Sequence, residues 1–176
     1  MEELRRYFEK YITPVHLDNI QKNSQISGIE NELIRNLLEV TAEQSTALEH
    51  ITLDMDVMGS IQIPDNIEMD VFEIMCNLID NAICELACQN PGLLRIWLRV
   101  VDGQFSIYIA NTLTDGIDIK QLYSKKNSKG SGNGYGLKRI RTIVYQNPGM
   151  EHFTYKNGTY EGKEILVQNI KMDLRA

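Results

Sequence analysis

The stretch Asp70–Cys88, with the sequence DVFEIMCNLIDNAICELAC, is the part of the chain around which the rest is interpreted. Its apolar residues recur at spacings of three and four, which predicts a helix with one face in a core. Asn77 and Asn81 lie four residues apart in the same pattern, so their amides project together. Because a buried amide needs a polar partner, we expect this pair to bind an enclosed ligand. The apolar residues of the stripe are Val71, Ile74, Met75, Leu78, Ala82 and Leu86.

Local signals predict where this helix begins. Asp70 and Glu73 fit a capping box, with the aspartate at the N-cap and the glutamate at the third helical position. The preceding Pro64-Asp65-Asn66 has the composition of a turn. The sequence therefore predicts a helix that starts at Asp70, directly after a loop.

The remaining elements follow from hydrophobic periodicity and turn residues. Alternation of apolar and polar residues predicts strands, and helical spacing predicts helices. Asp102-Gly103 and Asn157-Gly158 predict two tight hairpins, and Asn147-Pro148-Gly149 predicts a helix end. Helices mixed with mostly antiparallel strands indicate an α+β sandwich. The predicted helices are 1–12, 29–40, the Asp70–Cys88 stretch and 137–144, and the predicted strands are 51–57, 61–63, 93–101, 105–111, 151–156 and 159–172.

Length and composition indicate one globular domain with a small appendage. Of the 176 residues, 43% are hydrophobic and 24% are charged, which suits a folded domain. We predict a helical linker or partial dimerisation segment at 1–47 and a compact domain at 48–176. The formal charge of -6 argues against general nucleic-acid binding. The start of the chain lacks a signal peptide. The three cysteines, Cys76, Cys84 and Cys88, are predicted to be free and buried, and free thiols suggest a cytoplasmic location.

The segment 125–136, KKNSKGSGNGYG, has the composition of a phosphate-binding loop. Glycines let backbone N–H groups approach phosphate oxygens, lysines supply positive charge, and the following helix presents unpaired N–H groups. The segment lacks the terminal GK[ST] of a Walker loop, and no strand leads directly into it as a Rossmann fingerprint requires. Alone, such a loop is as often simply solvated.

Together, the asparagine helix and the loop resemble the N-box and the glycine-rich lid of the GHKL, or Bergerat, ATP-binding fold. Leu78-Ile79-Asp80-Asn81-Ala82 is similar to the N-box pattern LLDNA, and Gly134-Tyr135-Gly136-Leu137 is similar to the glycine box GLGL. The resemblance is to the catalytic domain of sensor histidine kinases, and most closely to the Agr and competence-type quorum-sensing group. It implies a two-layer α/β sandwich with a mixed, mostly antiparallel sheet, preceded by a short helical segment.

The resemblance also implies roles for individual residues. Asn81 would bind a Mg2+ ion that bridges the phosphates of ATP, with Asn77 near the same phosphates. Asn111 stands where most histidine kinases carry an aspartate that recognises adenine. The other residues that the resemblance assigns to ATP binding are Lys125, Lys126, Lys129, Gly130, Gly132, Gly134, Tyr135, Gly136 and Leu137.

The position of Asn77 bears on the type of chemistry. Members of the fold that hydrolyse ATP carry a glutamate base four residues before the metal-binding asparagine, and here that position is Asn77. An amide cannot accept the proton, so the resemblance favours transfer to a separate histidine over hydrolysis. A second register, with Glu73 as the base and Asn77 as the metal ligand, stays open but loses the match at Asn81-Ala82.

We assign no catalytic residue in this chain, because His16, His50 and His152 lack the acidic residue and apolar helix expected to follow a phosphoacceptor. The resemblance places the acceptor before Met1, on the same or a paired kinase chain of a membrane-bound sensor. It implies a response regulator as partner and a possible homodimer through the N-terminal helices. The alternative hypothesis is a degenerate or regulatory GHKL module that binds nucleotide and acts by protein contact without phosphoryl transfer.

Overall fold

The computed structural model describes residues 26–114, 116, 118–119 and 135–175. Within these ranges the helices cover one face of a five-stranded sheet, which confirms the predicted two-layer α+β fold. None of the described helices is long and apolar enough to cross a membrane. After a 3₁₀ turn at Ile26–Gly28, the elements are α1 (Glu32–Ala47), β1 (Ile51–Met58), α2 (Asp65–Leu86), β2 (Gly92–Val101), β3 (Gln104–Thr112), α3 (Tyr135–Gln146), β4 (Met150–Tyr160) and β5 (Lys163–Asp173).

The sheet has the strand order β1-β2-β3-β5-β4, with β1 parallel to β2 and the other neighbours antiparallel. The predicted hairpin at Asp102-Gly103 is confirmed, since the φ angles of 51° and 78° suit a type I′ turn. The second hairpin turns at Glu161-Gly162, with φ angles of 48° and 79°. The prediction of a turn at Asn157-Gly158 was wrong, because this pair lies within β4 where the register with β5 shifts.

Apart from a small cluster of Leu93, Ala110, Ile165 and Val167, most buried apolar residues form one core between the helices and the sheet. The predicted stripe of α2 is buried in it, and α1 contributes Ile34, Leu37 and Leu38 to the same core. Ile29 lies outside α1 and forms an isolated parallel bridge with Ile61. The short strand predicted at 61–63 is therefore reduced to this one bridge.

Helix α2 begins at Asp65, so the predicted start at Asp70 was wrong. Pro64 occupies the N-cap position, and Asp65 and Glu68 place negative charge in the first turn. These charges interact favourably with the positive end of the helix dipole, which makes the apparent turn a helix start. Asp70 lies within the helix and accepts a hydrogen bond from Asn147 Nδ2 at 2.8 Å.

The cysteines divide between the two sides of α2. Cys76 is buried, whereas Cys84 and Cys88 are exposed, so the prediction of three buried thiols was wrong for the last two. The reason is geometric, because Cys84 lies on the exposed side of the last turns and Cys88 follows the helix end. Among the described residues, none of the three cysteines forms a disulfide bond.

Candidate functional site

The two sequence motifs meet where the start of α3 lies against α2. Gly136 is the second residue of α3, and a β-carbon added to it would lie 2.9 Å from Asn77 Oδ1 and 3.5 Å from Asn81 Nδ2. A side chain at position 136 would therefore displace the amide of Asn77, and glycine permits this approach without a shift. The fold thus brings together the asparagine pair and the end of the glycine-rich segment.

Asn77 and Asn81 differ in their surroundings. Asn77 is buried, and its Nδ2 donates to the carbonyl oxygen of Glu73 at 2.8 Å. This hydrogen bond fixes the amide, and Oδ1 then faces Gly136. Asn81, one turn later, is exposed. We call the place where these two amides lie against the start of α3 the amide gap; amide oxygens are ligands that Mg2+ accepts, and helix N-termini are groups that favour phosphate.

Glu73 forms an ion pair and does not cap the helix. Arg139 Nε donates to Oε1 at 2.6 Å and Arg139 Nη2 donates to Oε2 at 2.8 Å. The hydrogen bonds to Glu73 raise the pKa of Arg139, and the negative charges of Glu73 and Asp70 act in the same direction. Both oxygens of the Glu73 carboxylate are therefore engaged by one guanidinium.

Asn111 lies at the end of β3, on the helix-covered face of the sheet. It is 5% exposed, and its Nδ2 donates to the carbonyl oxygen of Thr112 at 2.8 Å. The end of β3 is tied to α2, because the Glu85 carboxylate accepts the backbone N–H of Thr114 at 2.8 Å. Glu85 lies one turn after Asn81, so the residues that follow β3 lie beside the last turns of α2.

Several predicted site residues cannot be placed against this gap. Leu137 follows Gly136 and packs half-buried against the apolar core. The backbone of Tyr135 begins α3. The predicted residues Lys125, Lys126, Lys129, Gly130, Gly132 and Gly134 lie outside the described part of the chain.

Two of the three histidines are within the described ranges, and both bond to groups away from the gap. His50 Nε2 lies 3.3 Å from the carbonyl oxygen of Leu86, and His152 Nε2 lies 2.8 Å from Gln168 Oε1. Burial lowers the pKa of His152, against the opposing hydrogen bond with Gln168. His16 lies outside the described residues.

Sequence reasoning missed Arg139 and Glu85. No signal in the sequence indicated Arg139, because this residue lies on the polar side of an amphipathic helix, where a basic residue is normally solvated. No signal indicated Glu85 either, because its role as a hydrogen-bond acceptor depends on a backbone N–H that is distant in the sequence. Neither contact has a local pattern in the sequence.

Comparison with known structures places this geometry in context. The catalytic domain of histidine kinase ThkA, in a nucleotide-free form, is 18% identical with a TM-score of 0.60, and the match covers 82% of this chain and 91% of that chain. A mycobacterial sensor histidine kinase, MprB, is 17% identical with a TM-score of 0.61, covering 81% and 92%. Full-length ShkA in complex with AMPPNP is 18% identical with a TM-score of 0.56, covering 80% and 29%. These likenesses show the fold.

The family is shown by sequence. A search of curated proteins found no match. The family model of the GHKL domain matches residues 67–168, a range that contains the asparagine pair, Asn111 and Gly136. This range is more than half of the chain, and the chain accordingly belongs to the GHKL domain family, with the fold of histidine kinase catalytic domains.

Proposed function

We propose that the chain is the ATP-binding catalytic domain of a two-component sensor histidine kinase, which transfers the γ-phosphoryl group of ATP to a histidine on another segment. The observation that carries the proposal is the close approach of Gly136 to Asn77 and Asn81, because it brings the two motifs of the site together in the amide gap. The AMPPNP bound to the similar ShkA is consistent with a nucleotide in this fold.

Each residue of the gap has a proposed task. Asn81 would hold Mg2+ through its amide oxygen, since a hard cation prefers oxygen ligands and keeps several waters. Asn77, fixed by its bond to Glu73, would orient the same phosphates. Bound Mg2+ would neutralise phosphate charge during transfer. Asn111 would contact the adenine edge, and the lysines Lys125, Lys126 and Lys129 would balance the charge of the phosphates.

The wider setting belongs to the same proposal. The domain would be the cytoplasmic part of a membrane-bound sensor of the Agr and competence-type quorum-sensing group, with a response regulator as its partner. Residues 1–47 would connect the domain at 48–176 to the phosphoacceptor helix and take part in a homodimer. Because Asn77 is not a base, the acceptor imidazole itself would be the nucleophile.

Calorimetry tests the site directly. The wild-type chain is titrated with ATP in the presence and absence of Mg2+, beside Asn81→Ala. We expect magnesium-dependent binding that Asn81→Ala weakens by at least about tenfold. Asn66→Ala is the matched control, because it makes the same change at an exposed position in the first turn of α2 and should bind as the wild type does. Full magnesium-dependent affinity in Asn81→Ala would refute the assignment.

A second experiment separates transfer from binding alone. Labelled ATP is added to the chain together with a histidine-bearing dimerisation helix in trans. Label on the helix histidine supports the kinase. Nucleotide binding without any transfer to a helix that docks on the chain would favour the regulatory module. Stable phosphohistidine on the isolated chain would contradict the absence of an acceptor in it.

A further inference from the structure

Helices α2 and α3 run antiparallel and are joined by polar contacts on both sides of an apolar one. Near the amide gap, Arg139 binds both carboxylate oxygens of Glu73. Beyond the end of α3, Asn147 Nδ2 donates to Asp70 Oδ2. Between these contacts, Ile143 is fully buried in the core. Polar contacts with α2 therefore lie near the start and just beyond the end of α3, and the ion pair is the one nearer the start.

The ion pair lies next to the proposed site on both helices. On α3, Arg139 follows Gly136 by about one turn, and on α2, Glu73 precedes Asn77 by one turn. The backbone carbonyl of Glu73 also accepts the amide hydrogen bond of Asn77. One residue of α2 thus holds the Asn77 side chain through its backbone and α3 through its carboxylate.

The geometry of the ion pair is better suited to orienting α3 on α2 than to stabilising the fold as a whole. A guanidinium that donates through Nε and Nη2 to two oxygens has one preferred orientation, which a lysine cannot reproduce. The side chains are partly solvated, at 45% exposure for Arg139 and 20% for Glu73. Exposed pairs contribute little to global stability, so the main effect of this one is to fix a distance and an angle.

We propose that Glu73 and Arg139 are positioning residues that hold the start of α3 against Asn77, so that nucleotide affinity depends on this ion pair. The inference rests on the proposed nucleotide site. Without the pair, the start of α3 could move away from α2, and a small displacement of a binding group is enough to weaken a charged ligand markedly. Neither residue need touch the nucleotide.

A double-mutant cycle tests the proposal. Mg-ATP affinity is measured by calorimetry for the wild type, Arg139→Ala, Glu73→Ala and the double variant. We expect each single variant to bind on the order of tenfold more weakly, and the double variant to bind no more weakly than either single one. The charge-swapped chain, Glu73→Arg with Arg139→Glu, should recover part of the affinity. Wild-type affinity in both single variants would overturn the proposal.

A matched control removes a similar ion pair elsewhere. Arg95 Nε donates to Asp54 Oδ2 at 2.6 Å on the uncovered face of the sheet. Arg95→Ala should leave Mg-ATP affinity unchanged, and an equal loss in this variant would show a general loss of rigidity and overturn the proposal. If the wild-type chain itself fails to bind Mg-ATP, the proposed function fails. The positioning role alone fails if the wild-type chain binds Mg-ATP, Asn81→Ala does not, and Arg139→Ala and Glu73→Ala both bind normally.

The kinetics distinguish positioning from a base role for Glu73. In transfer to a histidine-bearing helix, Glu73→Gln and Arg139→Ala should both raise the KM for ATP and leave the rate at saturating ATP within a few-fold of the wild type. The conservative Arg139→Lys should fall between the wild type and Arg139→Ala. Loss of transfer at saturating ATP in Glu73→Gln, with unchanged affinity and a normal Arg139→Ala, would identify Glu73 as a base and overturn the positioning role.

Discussion

The two faces of the sheet use their residues in different ways. On the covered face, β3 presents apolar residues such as Ile107, which is fully buried under the helices. On the open face, Trp97 and Tyr108 stack with ring centroids 5.2 Å apart, and Arg95 lies 4.6 Å from the Trp97 ring while it binds Asp54. The open face therefore satisfies its charges within neighbouring strands, whereas the covered face is almost entirely apolar.

This difference shows why the proposed site lies where it does. The pairs Arg139–Glu73 and Arg95–Asp54 have the same shortest Nε–oxygen distance of 2.6 Å, yet only the first joins two helices, beside the buried amide of Asn77. The two pairs are similarly exposed, at 45% and 20% for Arg139 and Glu73 and at 27% and 37% for Arg95 and Asp54, so screening by solvent does not separate them. What differs is the position: the Arg139–Glu73 pair can fix the separation of two helices at the proposed site, whereas the Arg95–Asp54 pair joins adjacent strands that the sheet already holds together.

The largest expected effect is a loss of stability, and it should differ between substitutions at two adjacent residues of β3. Ile107→Ala removes a fully buried side chain between the helices and the sheet, and we expect a loss of about 2–5 kcal/mol in the free energy of unfolding. Tyr108→Ala changes the next residue, which points to the open face and is partly exposed, so the loss should be about 1–2 kcal/mol. Urea unfolding with linear extrapolation measures both. Equal losses would contradict the assignment of one covered and one open face.

Gly136→Ala should weaken binding without weakening the fold. The new β-carbon would displace the Asn77 amide, which is held by its bond to Glu73, so we expect Mg-ATP affinity to fall about tenfold. Alanine is the better helix former by up to about 1 kcal/mol, which offsets the strain in the free energy of unfolding. Lys138→Ala, at an exposed position of the same helix, is the control for calorimetry. Unchanged affinity in Gly136→Ala would remove the close contact from the proposed site.

The sequence was sufficient for features that depend on local periodicity. Alternation and the Asp102-Gly103 turn predicted the central hairpin, because a type I′ turn needs residues that tolerate positive φ. Asn157-Gly158 satisfies the same rule and was nevertheless placed within β4. The chain turns four residues later at Glu161-Gly162, since pairing of β4 with β5 continues past the first candidate. Turn propensity is local, whereas register is decided by the whole strand pair.

Long-range contacts were beyond the reach of the same rules. Glu73 fitted a capping box because Asp70 precedes it at the right spacing, but the helix had already begun at Asp65. Its partner Arg139 is 66 residues away, and no local pattern joins them. The asparagine pair was predicted as a site because amides in an apolar stripe are costly without a partner, but only Asn77 is buried. That Gly136 faces Asn77 follows only from the packing of α3 on α2.

The smallest effect should come from the open face. Asp54 accepts Arg95 Nε at 2.6 Å and Trp97 Nε1 at 3.2 Å, and its side chain is 37% exposed. Water can replace both bonds in Asp54→Ala, so the free energy of unfolding should fall by only about 0.2–1 kcal/mol, and by less at about 1 M salt. Mg-ATP affinity should not change. A loss above about 2 kcal/mol that resists salt would mean that this face is shielded from water, which would remove the contrast between the two sides of the sheet.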